Sequence, residues 1–333
     1  MRAFVISEAN GQLICEQRDV EPSRIDQNDV LVRVDYSSVN FKDAMVASAP
    51  SRVRRRDTLV GGVDAAGVVE SAPGDDLTPG TRVAVHGGNL GVGRDGGFAE
   101  FVFAPRRCLS LLPPTISLRD AMVMGTAGFA AMASVLALED RGLAPGAQVL
   151  VTGATGGVGS QAVTYLALRG YAPVASTGSP SEAKWLLDRG AARVISRSEI
   201  SDRPERMLGS ELWDGAVDCV GGKTLHQLLR SMSYGTTVAV SGVVAGAEMA
   251  TTLYPFITRA VALVGIDAVE ATATTRQRVW QTLGEVAPRI DFLSLVDRVI
   301  GLEGIASALE DVRAGRTRGR ILVHLNHHSD ESP

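Results

Sequence analysis

The chain has 333 residues, 45% of them hydrophobic and 21% charged, with a formal net charge of −4. That length accommodates two domains with separate cores, and the composition is ordinary for a soluble globular protein. The acidic balance gives no electrostatic reason to expect nucleic acid or an anionic membrane as partner, and no apolar run reads as approaching the roughly 20 residues that span a bilayer.

The opening MRAFVISEANGQ lacks the long apolar core of a secretion signal and reads as a first strand and turn. Up to about position 120 the pattern is short β-like runs, at 30–39, 62–71, 81–87 and 98–105. Turn signals such as APGDDLTPG separate them, which predicts an antiparallel or barrel-like domain. From about 121 the rhythm changes to strand, helix, strand. AMVMGTAGFAAMASVLAL (121–138) predicts a helix. Then QVLVTGATGGVGSQAVTYLALRG (148–170) reads as a buried strand, a glycine-dense turn and an amphipathic helix.

That turn fits the dinucleotide fingerprint G-x-G-x-x-G on Ala154, Gly156 and Gly159, with alanine in the first place. Gly156 lets a backbone approach a pyrophosphate, Gly159 lets the helix pack closely, and the free N–H groups at the helix start face the phosphates. Strands at 172–177, 192–196, 215–221 and 236–242 and a helix at 181–190 follow. Strands alternating with helices imply a doubly wound parallel sheet. The apolar, β-branched run AVALVGIDAV (260–269) belongs at the edge of that sheet, where a second copy would pair with it. RGRILVHLN (318–326) reads as a strand returning to the first domain, with HHSDESP a disordered polar tail. Cys15, Cys108 and Cys219 are too scattered for a metal pair or a disulfide framework, so a reduced, cytoplasmic setting is expected.

The segments SSVNFKDAM (37–45), GVGRDGGFAE (91–100), GTAGFAAM (125–132), VTGATGGVGS (151–160) and YPFITRAVALVGIDAV (254–269) resemble the medium-chain dehydrogenase/reductase superfamily over essentially the whole chain. Within it they are similar to the zinc-independent acrylyl-CoA reductase group, NADPH-dependent enzymes often called quinone oxidoreductases. The resemblance implies an α/β protein: a GroES-like β-barrel catalytic domain from 1–120 and 292–333, and a Rossmann domain over 121–291. It also implies reduction of an activated carbon–carbon double bond, by hydride transfer to the β-carbon of a substrate such as acrylyl-CoA. Quinone or enone reduction, or a tailoring step in a specialised pathway, remains the alternative on the same scaffold. A nucleotide-binding protein without catalysis is a further one.

Zinc-dependent relatives place a cysteine at Asn40 and Gly-His-Glu at Gly62-Val63-Asp64, and neither an amide nor an isopropyl group is a good zinc ligand. No metal is therefore expected. The end of the second Rossmann strand, Ala175 to Ser179, carries no acid to bond a ribose 2′-OH, which favours NADPH over NADH. By the resemblance, Thr177, Gly178, Ser179 and Arg197 contact the 2′-phosphate. Ser179 stands where the family often has arginine, so Lys184 or Arg197 is expected to compensate. Phe41, Thr126, Thr155, Gly156, Gly157, Val158, Val243, Ile257, Ala268 and Asn326 are the other implied cofactor contacts.

Asn40, Phe41, Asp43 and His86 are the catalytic candidates. Phe41 replaces the family's usual tyrosine, so it walls the nicotinamide but donates no proton. In the loop HGGNLGVGRDGG (86–97), His86, Asn89 and Arg94 are candidate donors to the substrate. The RVRRR run (52–56) reads as a solvated loop or as a site for a CoA phosphate. The partners expected are a small-molecule substrate and a second copy of the chain.

Overall fold

The computed structural model describes residues 1–9, 11–74, 77–202 and 206–325. By its contacts the chain forms two units, Met1–Thr126 with Ala268–Pro333 and Ala127–Asp267.

The first unit opens with strands β1 (Arg2–Ala9), β2 (Gln12–Asp19) and β3 (Asp29–Val39), followed by the short helix α1 (Phe41–Val46). Strands β4 (Thr58–Val60), β5 (Asp64–Ser71), β6 (Arg82–His86), β7 (Phe101–Pro105) and β8 (Leu109–Leu111) lead to helix α2 (Leu118–Glu139). β3 pairs antiparallel with both β5 and β7, while β1 pairs with β2 and β4. Along β3 the alternate residues Val30, Val32 and Val34 are fully buried, the period-2 pattern that made this run legible as a strand. β4 and β8 are each three residues long, too short to show any period.

Helix α2 corrects one expectation. At 22 residues it is long and apolar enough, by length and composition, to cross a bilayer. Its apolar window is 83% buried inside the protein, as expected of a core helix. It also breaks at Gly125, whose φ of 51° and ψ of −156° are not helical.

The second unit holds β9 (Gln148–Thr152), α3 (Gly157–Leu168), β10 (Ala172–Thr177), α4 (Ala183–Leu187), β11 (Arg193–Ser196) and α5 (Ser198–Ser201). It continues through β12 (Gly215–Asp218), α6 (Gly222–Leu229), β13 (Thr237–Val240), α7 (Tyr254–Arg259) and β14 (Ala262–Gly265). All its ladders are parallel, in the order β11-β10-β9-β12-β13-β14. The doubly wound sheet is thus present. The chain leaves β9 for β10 on one side, and β12 lies on the other, so the ends of β9 and β12 mark the topological switch point where such sheets bind ligands. β14 is the edge strand, but it covers only part of the expected 260–269 run. The helix expected over 181–190 is a 3₁₀ turn at Pro180–Glu182 followed by the short α4.

Helix α8 (Ala273–Val286), β15 (Val296–Ile300), α9 (Ile305–Arg313) and β16 (Arg320–His324) complete the first unit. β16 pairs antiparallel with β3, as the returning strand should. The return itself begins at Ala268, not at 292, and the unit extends to Thr126, past the expected boundary at 120. α8 explains the earlier return. The Thr115 hydroxyl donates to the Gly284 carbonyl at 2.8 Å, and Arg276 stands 3.0 Å from His86 Nε2. Asn326 and the tail beyond it lie outside the described residues.

Candidate active site

The glycine turn of the second unit joins β9 to α3. Gly153 follows β9 with φ of 61°, so it supplies the left-handed turn that the fingerprint assigns to its first glycine, one place before Ala154. A Cβ on Gly159 would lie 2.3 Å from the Gly153 carbonyl oxygen, so only glycine lets α3 sit directly on the turn. Gly156 is the exposed N-cap of α3, with Thr155, Gly157 and Val158 half-buried beside it. No side chain caps this helix, so its first N–H groups remain for a ligand. Asp218 at the end of β12 accepts from the Thr152 hydroxyl at 2.6 Å and from Gly221 N–H at 2.8 Å, which ties β9 to β12 at the switch point. Burial raises its pKa.

At the end of β10, Thr177 is buried, and its hydroxyl accepts from Ser179 N–H at 3.0 Å. Arg197 N–H donates to the Thr177 carbonyl at 2.8 Å. Its guanidinium lies against Gly178, where a Cβ would come within 2.7 Å of Nη2. Lys184, the other candidate cation, bonds Asp188 at 2.9 Å with its side chain 85% exposed. Of the two, Arg197 is the one seated on the turn. Val243 and Ile257 are exposed in this unit, whereas Ala268 is buried in the other one.

In the first unit the centre is a buried ionic cluster that sequence reasoning missed. Asp64, fully buried, accepts from Ser38 Oγ at 2.7 Å, Asn40 Nδ2 at 3.0 Å and Thr126 N–H at 3.0 Å. Arg320, also buried, stands 3.9 Å from the same carboxylate and donates to Asn40 Oδ1 at 3.2 Å and to the Val123 carbonyl at 3.1 Å. Gly125 closes the cluster. A Cβ there would come within 2.7 Å of Asp64 Oδ2, and its positive φ excludes most other residues. One signal did exist: an acid inside the apolar run GVDAAGVV must find a partner if buried.

The cluster fixes what the candidates can do. Asn40 donates from Nδ2 to Asp64 and to the Ser38 carbonyl and accepts at Oδ1 from Arg320, so its amide is fully engaged. Asp43, also buried, accepts from Asn40 N–H at 2.8 Å and Val63 N–H at 2.9 Å, pinning the start of α1 to β5. Burial, with the nearby Asp64 charge second, pushes its pKa up to about 7.

Two expected donors are corrected. His86 is 1% exposed; Nδ1 lies 2.9 Å from the Ala268 carbonyl, with Arg276 against both ring nitrogens. Burial and then the Arg276 charge push its pKa down to about 3, so the imidazole is neutral and bonded inward. Arg94 is ion-paired with buried Asp29 at 2.5 Å. The remaining loop donor, Asn89, has φ of 63° and lines a small cavity of about 50 Å³ together with Asn40, Lys42, Val63, Leu90, Thr126 and their neighbours.

Residues 26–114 match the family described as alcohol dehydrogenase GroES-like domain, and residues 157–285 match that described as zinc-binding dehydrogenase. Acrylyl-CoA reductase AcuI of Ruegeria pomeroyi is 38% identical over 320 residues, which cover 96% of this chain and 97% of AcuI. The chain belongs to the medium-chain dehydrogenase/reductase superfamily. The structure of the yhdH oxidoreductase from Salmonella enterica in complex with NADP matches with a TM-score of 0.93 at 35% identity, over 98% of this chain and 100% of that one. That of Bacillus subtilis protein yhfP with NAD bound matches with a TM-score of 0.93 at 41% identity, over 97% and 99%. This zinc-independent medium-chain dehydrogenase/reductase has the engaged amide of Asn40 and the buried isopropyl group of Val63 at the two positions read from the sequence as poor zinc ligands.

Proposed function

We propose that this protein is an NADPH-dependent reductase of activated carbon–carbon double bonds, with short enoyl-CoA thioesters such as acrylyl-CoA as the leading substrate class. The turn at Gly178 carries the reading: it offers no carboxylate to a ribose 2′-OH and holds the Arg197 guanidinium, which suits a 2′-phosphate. The names of AcuI and of the NADP complex of yhdH support it. The protein groups present fit the cofactor. Thr155, Gly156, Gly157 and Val158 form the open, uncapped helix start for the diphosphate. Thr177, Gly178, Ser179 and Arg197 would hold the 2′-phosphate. Phe41, Thr126, Val243, Ile257 and Ala268 are the further contacts implied by the resemblance.

When bound, NADPH supplies a hydride for the β-carbon of the alkene. The chain's own task is to orient the alkene, exclude water and offer a donor where charge develops on the carbonyl oxygen. Asn40, Asp43 and His86 shape the first unit and carry no proton to substrate, because each is consumed internally. The α-carbon takes its proton from water.

One observation favours the second reading, an enone or quinone without CoA. Within RVRRR, Arg54 is paired with Glu8 and Arg56 with Asp95, which leaves fewer cations for CoA phosphates. Loss of NADPH absorbance with a panel of enoyl-CoAs, enones and quinones tests the proposal. Turnover fastest on the enoyl-CoAs supports the first reading, and turnover on enones or quinones alone supports the second. No oxidation with any of them overturns both.

A further inference from the structure

The small cavity of the first unit is lined by apolar Val63, Leu90 and Val92 and by polar Asn40, Lys42, Asn89 and Thr126. Its volume of about 50 Å³ suits a carbonyl group and little more, being roughly the space of three or four waters. The Asn40 amide is spent on Asp64, Ser38 and Arg320. Three polar groups are left for a ligand. Thr126 Oγ1 is buried without a hydrogen-bond partner. Among the described residues, neither the Asn89 amide nor the Lys42 ammonium has a hydrogen-bond or ion-pair partner.

Lys42 stands at the start of α1, directly before buried Asp43. It is half-buried and faces the same cavity as Asn89. Asn89 adopts the left-handed conformation that asparagine tolerates better than most side chains, with its own carbonyl taking the N–H groups of Val92 and Gly93 at 3.0 and 2.9 Å. The loop is therefore locked around Asn89 at the cavity wall.

We infer that Lys42 is a catalytic residue of the proposed reduction: its ammonium donates a hydrogen bond to the carbonyl oxygen of an α,β-unsaturated substrate seated in this cavity, with the Asn89 amide beside it. The inference rests on the function proposed above. As the β-carbon gains hydride, the alkene π pair moves to join the α-carbon to the carbonyl carbon, and the carbonyl π pair moves to oxygen. Lys42 holds that enolate oxygen without losing its proton. When the enolate collapses, the α-carbon takes a proton from water and the carbonyl re-forms.

The test uses the full-length protein with crotonyl-CoA and cyclohex-2-enone, each labelled with ¹³C at the carbonyl. Lys42→Met is expected to lower kcat about a hundredfold or more, the usual cost of losing one preorganised donor. KM should change far less, NADPH affinity should be retained, and Lys42→Arg should recover much of the loss. In the complex with NADP⁺, which cannot react, the carbonyl ¹³C resonance should move downfield in the parent protein and not in Lys42→Met. Unchanged kcat, or the same carbonyl shift in both proteins, overturns the assignment of Lys42 alone. A parent protein that binds and reduces neither alkene overturns the proposed function, and this inference with it.

Discussion

The Arg276 guanidinium stands 3.0 Å from His86 Nε2 and 3.1 Å from Nδ1, so a cation occupies the place where a second proton on the imidazole would be felt most. A residue that looks from the sequence like an acid–base catalyst is thereby made a neutral structural part. The His86 pKa is about 3 in the folded protein against 6.5 when free, so the native state binds fewer protons than the unfolded one between those values. Its stabilisation is complete above pH 6.5 and is lost as pH falls toward 3, at roughly 1.4 kcal/mol per pH unit. Asp43 acts in the opposite sense: raised from 3.8 to about 7, it favours the native state increasingly as pH falls through that window. In urea titrations from pH 6.5 to 4, these two contributions should largely cancel. His86→Gln should leave the Asp43 contribution alone and gain stability on acidification. An identical pH slope in the two proteins would contradict the assignment.

Arg320 and Asp64 form a buried pair with side chains 3% and 0% exposed. Removing one partner of such a pair typically costs about 3–5 kcal/mol, because the other is left charged and dry. Arg320→Met should destabilise the first unit by that order, and adding Asp64→Asn should return part of it. Urea unfolding checks this as a double-mutant cycle. Additive losses would mean that the two residues are not coupled.

Gly156→Val should weaken NADPH binding at least about tenfold, or 1.4 kcal/mol, while the thermal midpoint stays within a few degrees. The N-cap there is already extended, with φ of −78° and ψ of 175°, so valine fits the backbone while its methyls obstruct the phosphate approach. Its Cβ would sit 3.3 Å from the Gly153 oxygen, close but tolerable. Unaltered binding by calorimetry would put the phosphates elsewhere.

The second unit was largely legible because its signals are local. The apolar run Val149 to Val151 reports a buried parallel strand, and the glycines after it report the tight turn into α3. The first unit was legible as strands but not as a site. Asp64, Arg320, Ser38 and Gly125 lie far apart in sequence, and only the pairing of β3 with β5 and β16 brings the first three together. His86 and Arg94 were misread as donors for the same reason: their partners Arg276 and Asp29 are distant along the chain. Lys42 gives no signal of its own in the sequence, because the cavity it lines is assembled from Asn89, Thr126 and Val269, far from it along the chain.

Strand β14 lies at the end of the six-stranded sheet with Leu263 39% exposed, and among the described residues no strand pairs with its outer side, an edge of the kind that invites strand addition. We propose that two copies pair there about a two-fold axis. Light scattering in dilute buffer should give about twice the 35.0 kDa chain mass, and Leu263→Lys should reduce it to the single-chain value. A parent protein that stays monomeric at high concentration would refute the pairing.

The most direct test follows deuterium from NADPH labelled at the nicotinamide C4 position into product, with crotonyl-CoA and cyclohex-2-enone as acceptors. The account predicts deuterium at the β-carbon of the reduced product, and a protium at the α-carbon that becomes deuterium when the solvent is D₂O. NADPH oxidised without label at the β-carbon, or no reduced product from either alkene, would contradict it.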